Sequence, residues 1–132
     1  MPTDKPVLTS AEPQLFVADV TAACAFYVGR MGFRIVFTYG EPPYYGQVAR
    51  DAARLNLRCV DAPVIDPQRR EAEQLLSAAI TLATRSETEQ LAQELRAAGV
   101  TFAQDIAVQP WGAINFIVRD PDGNLVLFAG PA

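Results

Sequence analysis

Hydrophobic and polar positions follow a strand-and-helix pattern over the first half of the chain. An apolar stretch at Gln14–Val17 predicts a strand, and Asp19 predicts the N-cap of a helix extending to about Arg30. Apolar residues recur at helical spacing on one face of that helix, namely Val20, Ala23, Tyr27 and Met31. Gly32 is expected to end the helix. Three strands are then predicted, at residues 33–37, 44–50 and 54–60.

The second half repeats the order of strand, helix and three strands. Residues 78–83 predict the first strand. Ser86 and Glu89 form a candidate capping box for a helix that ends at Gly99. Three strands are predicted at 101–108, 113–118 and 125–128, with a tight turn at 120–123 before the last.

The repeat predicts an α+β fold of two βαβββ modules, at residues 8–60 and 76–130, in one structural domain. Residues 61–75 are assigned as a linker with a short helical turn at 69–75. One helix covers only one face of a four-stranded sheet, so the modules are expected to pack together. We expect a curved eight-stranded sheet with a central cleft. Such a chain also permits module exchange, so a homodimer, domain-swapped in form, is predicted.

Composition and net charge reduce the number of function classes that fit this chain. The chain has 132 residues, 50% hydrophobic and 20% charged, which fits one globular unit. Its net charge of −4, with no basic run beyond Arg69 and Arg70, disfavours nucleic-acid binding. No apolar run is long enough to cross a bilayer, and the N-terminus does not resemble a signal peptide. Cys24 and Cys59 are expected to be buried and reduced, which predicts a cytoplasmic location.

The chain contains no histidine. This excludes catalysis by a Ser–His or Cys–His pair and any metal site that uses imidazole. A site built from carboxylates, amides and thiols stays open, although two scattered cysteines do not suggest zinc.

Both ends of the chain resemble the glyoxalase / bleomycin-resistance / extradiol-dioxygenase (vicinal oxygen chelate) superfamily. The residues that carry the likeness are Pro13, Leu15, Val17, Asp19, Val20, 25–27, 31–33, 120–124, Val126 and Phe128. Within that superfamily the chain is most similar to bleomycin-resistance-type binding proteins, through residues 8–11, 45–51 and the Gln-Pro-Trp-Gly segment 109–112. The resemblance implies sequestration of a planar, cationic antibiotic at a dimer interface. It also implies that Tyr45 and Trp111 contact the ligand.

The resemblance also locates the positions that hold metal in the metal-using relatives. Glu12 occupies one of them, but the others offer poor ligands: Ser77, Ala78 and Ala79 in the second module, Leu127 in the closing hairpin, and Asn56 and Arg58 in the first module. One carboxylate does not satisfy a divalent cation. We therefore predict no metal and no cofactor.

Aromatic residues are the main candidates for ligand contact. Tyr39, Tyr44 and Tyr45 cluster around the first turn, where core-edge packing is the alternative to binding. Trp111 either stacks on a flat ligand or plugs the end of a sheet. Phe37 and Phe116 are also proposed as ligand contacts, and the sequence leaves open whether each faces the cleft or the core. The remaining candidates could form hydrogen bonds with a ligand, namely Asp105 and Gln109.

Three functions follow from these observations. The first is a non-catalytic protein that binds and sequesters a cationic aromatic small molecule. The second is a glyoxalase-like lyase or isomerase, or a dioxygenase, which would require a metal. The third is a small-molecule sensor or a protein with a metabolite ligand. The linker bears Arg69 and Arg70, which are not associated with drug-binding members, and a linker folded over the cleft would change the ligand.

Overall fold

The structure is a computed structural model that describes residues 5–132. Residues 1–4 belong to the N-terminal stretch that does not resemble a signal peptide, and they lie outside this range. Within the described chain, eight strands form two four-stranded sheets with the orders β1-β4-β3-β2 and β5-β8-β7-β6. The first module contains β1 (Gln14–Val17), α1 (Val20–Met31), β2 (Arg34–Tyr39), β3 (Tyr45–Arg50) and β4 (Ala53–Cys59). The second contains β5 (Ala78–Thr81), α3 (Arg85–Ala97), β6 (Thr101–Val108), β7 (Ala113–Arg119) and β8 (Leu125–Pro131), and α2 (Pro67–Glu73) lies between the modules.

The predicted α+β fold of two βαβββ modules is confirmed. In both sheets the first strand pairs parallel with the last, and the other strand pairs are antiparallel. The eight strands predicted for the curved sheet are arranged as two four-stranded sheets, because all these strand pairings lie within one module or the other. The module boundaries at 8–60, 61–75 and 76–130 stay predictions.

Helix α1 forms where the pattern predicts it. The side chain of Asp19 accepts a hydrogen bond from the amide of Ala22 at 3.0 Å, and Gly32 ends the helix with a φ of 73°. That left-handed conformation strains residues with a Cβ and suits glycine. The predicted apolar face is buried, and it packs against β2, β3 and β4.

Helix α3 begins two residues earlier than predicted. The N-cap is Thr84, whose Oγ1 accepts a hydrogen bond from the amide of Glu87 at 3.1 Å and donates one to its Oε1 at 2.9 Å. The capping box at Ser86 and Glu89 is therefore wrong, since both residues lie inside the helix. The physical reason is that β5 ends at Thr81, so the chain is already turning into the helix at Thr84.

The two modules share one continuous hydrophobic core. Hydrogen bonds also cross their junction: Arg50 bonds to Glu94 at 2.6 Å, and Arg30 Nη1 donates to the carbonyl of Ala98 at 3.0 Å. Cys24 is buried as predicted, but Cys59 is only half-buried, because it lies in the last position of β4 beside the linker. No helix among residues 5–132 is long and apolar enough to cross a membrane.

Candidate functional site

Each sheet has one face covered by its helix and one face that no helix covers, which we call the open face. Side chains alternate between the faces along a strand. In the first module Val48, Leu55 and Leu57 belong to the core, so the residues between them face the other way. Gln47 and Asn56 are thereby placed opposite each other on the open face, at paired positions of β3 and β4.

A hydrogen-bond network covers the middle of this first open face. Gln47 Nε2 donates to Asn56 Oδ1 at 2.8 Å and to Glu12 Oε1 at 3.1 Å. Gln47 Oε1 accepts from Arg54 Nη1 at 2.9 Å. The Gln47 side chain is buried in this network, and both ends of its amide are satisfied. The network fixes the side-chain positions around Gln47 before any ligand arrives.

The predicted aromatic residues of the first module lie beside this network. The rings of Phe37 and Tyr45 are 5.9 Å apart, and those of Tyr39 and Tyr44 meet edge to face at 5.6 Å. The Tyr45 hydroxyl donates to the side chain of Gln14 at 3.1 Å, which fixes the direction of the ring. Phe37, Tyr39 and Tyr44 are 41%, 65% and 55% exposed. We call Phe37, Tyr39, Tyr44 and Tyr45 the aromatic cluster.

The open face of the second sheet carries a second group of hydrogen-bonded side chains, which consists of three side-chain amides. Phe116 belongs to the core, so its neighbour Asn115 on β7 faces the open side. Asn115 Oδ1 accepts hydrogen bonds from Gln104 Nε2 at 2.8 Å and from Gln109 Nε2 at 3.0 Å. Gln109, a predicted site residue, is therefore part of this group.

Trp111 occupies the turn that follows Gln109. Its side chain is 73% exposed, so it does not plug the end of the sheet in this chain. Gly112 has a φ of 90°, a conformation that gives the turn its direction and that residues with a Cβ rarely adopt. The indole is therefore largely exposed to solvent at the turn between β6 and β7.

Two of the residues predicted to contact a ligand lie away from the open faces. Phe116 is fully buried between Phe102 and Phe128, with ring centroids 5.3 Å away on each side, so it is a core residue rather than a cleft residue. Asp105 forms an ion pair of 2.5 Å with Arg96 of α3, on the helix side of the sheet. The hydrogen bond from Arg96 lowers the pKa of the Asp105 carboxyl. Neither residue faces the open side in this chain.

The positions that correspond to metal ligands in related proteins do not form a ligand set here. Asn56 on β4 accepts a hydrogen bond from Gln47, and Ala79 pairs with Leu127 across β5 and β8. The one carboxylate nearby, on Glu12, accepts a hydrogen bond from Gln47. Within residues 5–132 there is no group of three or more His, Cys, Asp or Glu side chains that could hold a metal ion. One amide and two aliphatic side chains beside a single carboxylate do not fit a divalent cation.

Two cavities lie at the module junction, on other parts of the surface. One, of about 260 Å³, lies beneath the linker, and the other, of about 340 Å³, lies beside Arg50 and Glu94. Neither is lined by the aromatic cluster or by Trp111.

This architecture agrees with a comparison against protein families. The model of the Glyoxalase/Bleomycin resistance protein/Dioxygenase superfamily matches residues 9–128. The chain belongs to this superfamily. The resemblance inferred from the two ends of the sequence is thus confirmed over nearly the whole chain.

Several solved structures of the superfamily have a similar fold. A bleomycin-binding protein complexed with bleomycin is 21% identical, with a TM-score of 0.74 over 95% of this chain and 100% of that one. A bleomycin-binding protein from Streptomyces verticillus, complexed with copper(II)-bleomycin, is 25% identical, with a TM-score of 0.71 over 97% and 100%. A lactoylglutathione lyase from Agrobacterium tumefaciens is 18% identical, with a TM-score of 0.71 over 96% of each chain. No curated protein gives a significant match.

Sequence reasoning missed the centres of the two clusters of hydrogen-bonded amide side chains, Gln47 and Asn115. Gln47 and Asn115 lie within strands whose other residues are mostly apolar, and that isolation was the available clue. Their partners come from other strands, from the segment before β1 or from the turn after β6, so strand register was needed to find most of them.

Proposed function

We propose that this protein binds and sequesters a flat, cationic aromatic molecule without altering it. The observation that carries the proposal is the aromatic cluster, in which three of the four rings are exposed beside a hydrogen-bond network that is already formed. Aromatic faces stack on flat guests and attract cations by about 0.5–2 kcal/mol each. The net charge of −4 attracts a cation further.

We further propose that the binding site is completed in a homodimer. In the single chain Phe37, Tyr39, Tyr44 and Trp111 are exposed, and large exposed apolar groups are a common feature of interaction surfaces. A second copy would bring an open face of one chain against an open face of the other. The homodimer and its module exchange stay predictions, as does the cytoplasmic location.

A bleomycin-type drug is the ligand we propose first. Two similar structures are bleomycin-binding proteins in complex with bleomycin or copper(II)-bleomycin. The aromatic cluster and Trp111 supply surfaces on which a flat cationic group could stack. The absence of a ligand set on the described open faces fits binding rather than metal-dependent chemistry.

Titration with metal-free and copper(II)-loaded bleomycin tests this proposal. Trp111 is the only tryptophan, so binding should change its fluorescence and raise the melting temperature, because a ligand of the native state stabilises it. Tyr45→Ala should weaken binding by roughly tenfold or more. Val28→Ala, at an exposed position on α1, is the matched control and should bind normally.

A melting temperature and fluorescence that stay constant up to high drug concentration would contradict the drug assignment. Sedimentation of the free and drug-bound protein tests the dimer separately. A protein that binds the drug and stays monomeric would support the ligand assignment but contradict a site completed in a homodimer.

A metal-dependent lyase, isomerase or dioxygenase is the alternative function. The similar fold of a lactoylglutathione lyase is consistent with it, but the residues at the expected ligand positions do not fit a metal. Elemental analysis of protein purified without chelators distinguishes the two functions, since a stoichiometric divalent ion would favour the enzyme.

A further inference from the structure

The cavity of about 260 Å³ beneath the linker, which we call the linker cavity, is separate from the aromatic cluster. Its outer wall is the linker segment, including Val64 and Ile65, and its inner wall is the end of β1, including Phe16 and Val17. Most of these side chains are apolar. The volume is below the roughly 300–1,000 Å³ of pockets for drug-sized molecules, so a guest would be small.

Arg70 provides a buried positive charge in this wall. The residue is only 8% exposed, and no carboxylate of residues 5–132 lies within ion-pair distance of it. Its Nη1 donates to Asn124 Oδ1 at 3.2 Å, whereas its buried Nε has no hydrogen-bond partner within the described chain. A guanidinium buried to this extent with one neutral partner is costly, because it has lost most of its hydration without gaining a counter-ion.

The acidic residues of the linker cavity do not supply that counter-ion. Glu71 is paired with Arg119, and Asp122 Oδ1 accepts a hydrogen bond from the amide of Ala18 at 2.8 Å. Asp61 is exposed at the rim. Arg70 is therefore the charged residue of the cavity wall that is both buried and without an ionic partner.

We propose that the linker cavity is a second ligand site, which binds a small organic carboxylate through Arg70. A guanidinium presents a planar fork of donors that matches a carboxylate. The apolar side chains of Phe16 and Ile65 suit the hydrocarbon part of such a molecule and disfavour inorganic phosphate. This site does not rest on the function proposed for the open faces.

Benzoate is a suitable probe, with benzamide as its uncharged analogue and inorganic phosphate as an anion without an apolar part. Benzoate should raise the melting temperature of the full-length protein with increasing concentration, and it should shift the methyl NMR signals of Ile65 and Val64. Benzamide and phosphate should have much smaller effects. Equal effects of benzoate and benzamide would overturn the role of charge, and no effect of benzoate would overturn the site.

Arg70→Met should weaken benzoate binding by roughly tenfold or more, since a charge-assisted hydrogen bond is lost. Arg69→Met is the matched control, because Arg69 is on the same helix but pairs with Glu73 at the exposed surface. It should bind benzoate normally. Unchanged benzoate binding in Arg70→Met would contradict the proposal.

Ile65→Trp provides a second test if Arg70→Met does not fold. Ile65 is 36% exposed at the cavity wall, so a larger side chain can enter the cavity without disturbing the core. This variant should lose the benzoate effect while it retains Arg70. Retained binding, or NMR shifts that map to the open faces instead, would overturn the linker cavity as the site.

Discussion

The hydroxyl of Tyr27 on α1 donates a hydrogen bond of 2.8 Å to Oδ2 of Asp120, in the turn between β7 and β8. The residues are 93 positions apart, belong to different modules and are both buried. The other oxygen of Asp120 accepts from the amides of Asp122 and Asn124, each at 2.9 Å. Because the same carboxylate holds the turn and contacts α1, it connects the closing hairpin of one module to the helix of the other.

Replacing Tyr27 by Phe tests the strength of this connection. The ring should stay packed in the core, but Asp120 would lose a hydrogen bond in a buried place. We expect the free energy of unfolding to fall by about 1.5–3 kcal/mol, which is typical of a hydrogen bond to a charged group. Urea denaturation measures the difference. Tyr39→Phe, at an exposed tyrosine, should change stability little, and equal stabilities of the two variants would contradict the role of Tyr27.

The ionisation of Asp120 should reduce stability as pH rises. Burial raises the pKa of its carboxyl above the ordinary 3.8, although hydrogen bonds from Asn124 and Tyr27 oppose the shift. Between the unfolded and the raised folded pKa, the folded protein binds more protons than the unfolded one, so its stability falls with increasing pH. Below this window the contribution of the protonated carboxyl is fully present.

The measurement compares the wild type with Asp120→Asn by urea denaturation from about pH 4 to about pH 7. The stability of the wild type relative to the variant should be greatest at low pH and should decline as pH rises. Glu94, whose pKa is lowered mainly by its hydrogen bond to Arg50, titrates in both proteins and should cancel. If the wild type instead becomes more stable relative to the variant as pH rises, the folded state prefers the ionised carboxylate.

The fold could be predicted because short-range sequence patterns determine where its helices and strands begin and end. The helical spacing around Tyr27, the cap at Asp19 and the left-handed residue Gly32 each act within a few positions of the chain. The repeated element order then implied two modules. The partner of Tyr27 was not predicted, because a contact over 93 positions depends on how the modules pack.

The candidate site could be predicted only in part, for the same reason. Tyr39, Tyr44 and Tyr45 are neighbours in sequence and lie together in the structure. Phe116 and Asn115 are adjacent on β7 but face opposite sides. In that strand most residues on both faces are buried, so periodicity could not show which side met the core.

The N-terminus of α3 gives a direct test of the corrected cap. Thr84→Ala removes the hydroxyl that bonds to the Glu87 amide and should lower the free energy of unfolding by about 0.5–2 kcal/mol. Ser86→Ala is the matched control; since Ser86 lies inside the helix and is exposed, this change should alter stability by less than about 0.5 kcal/mol. Both values come from urea denaturation at one pH. A larger loss from Ser86→Ala than from Thr84→Ala would instead place the cap where the sequence pattern predicted it.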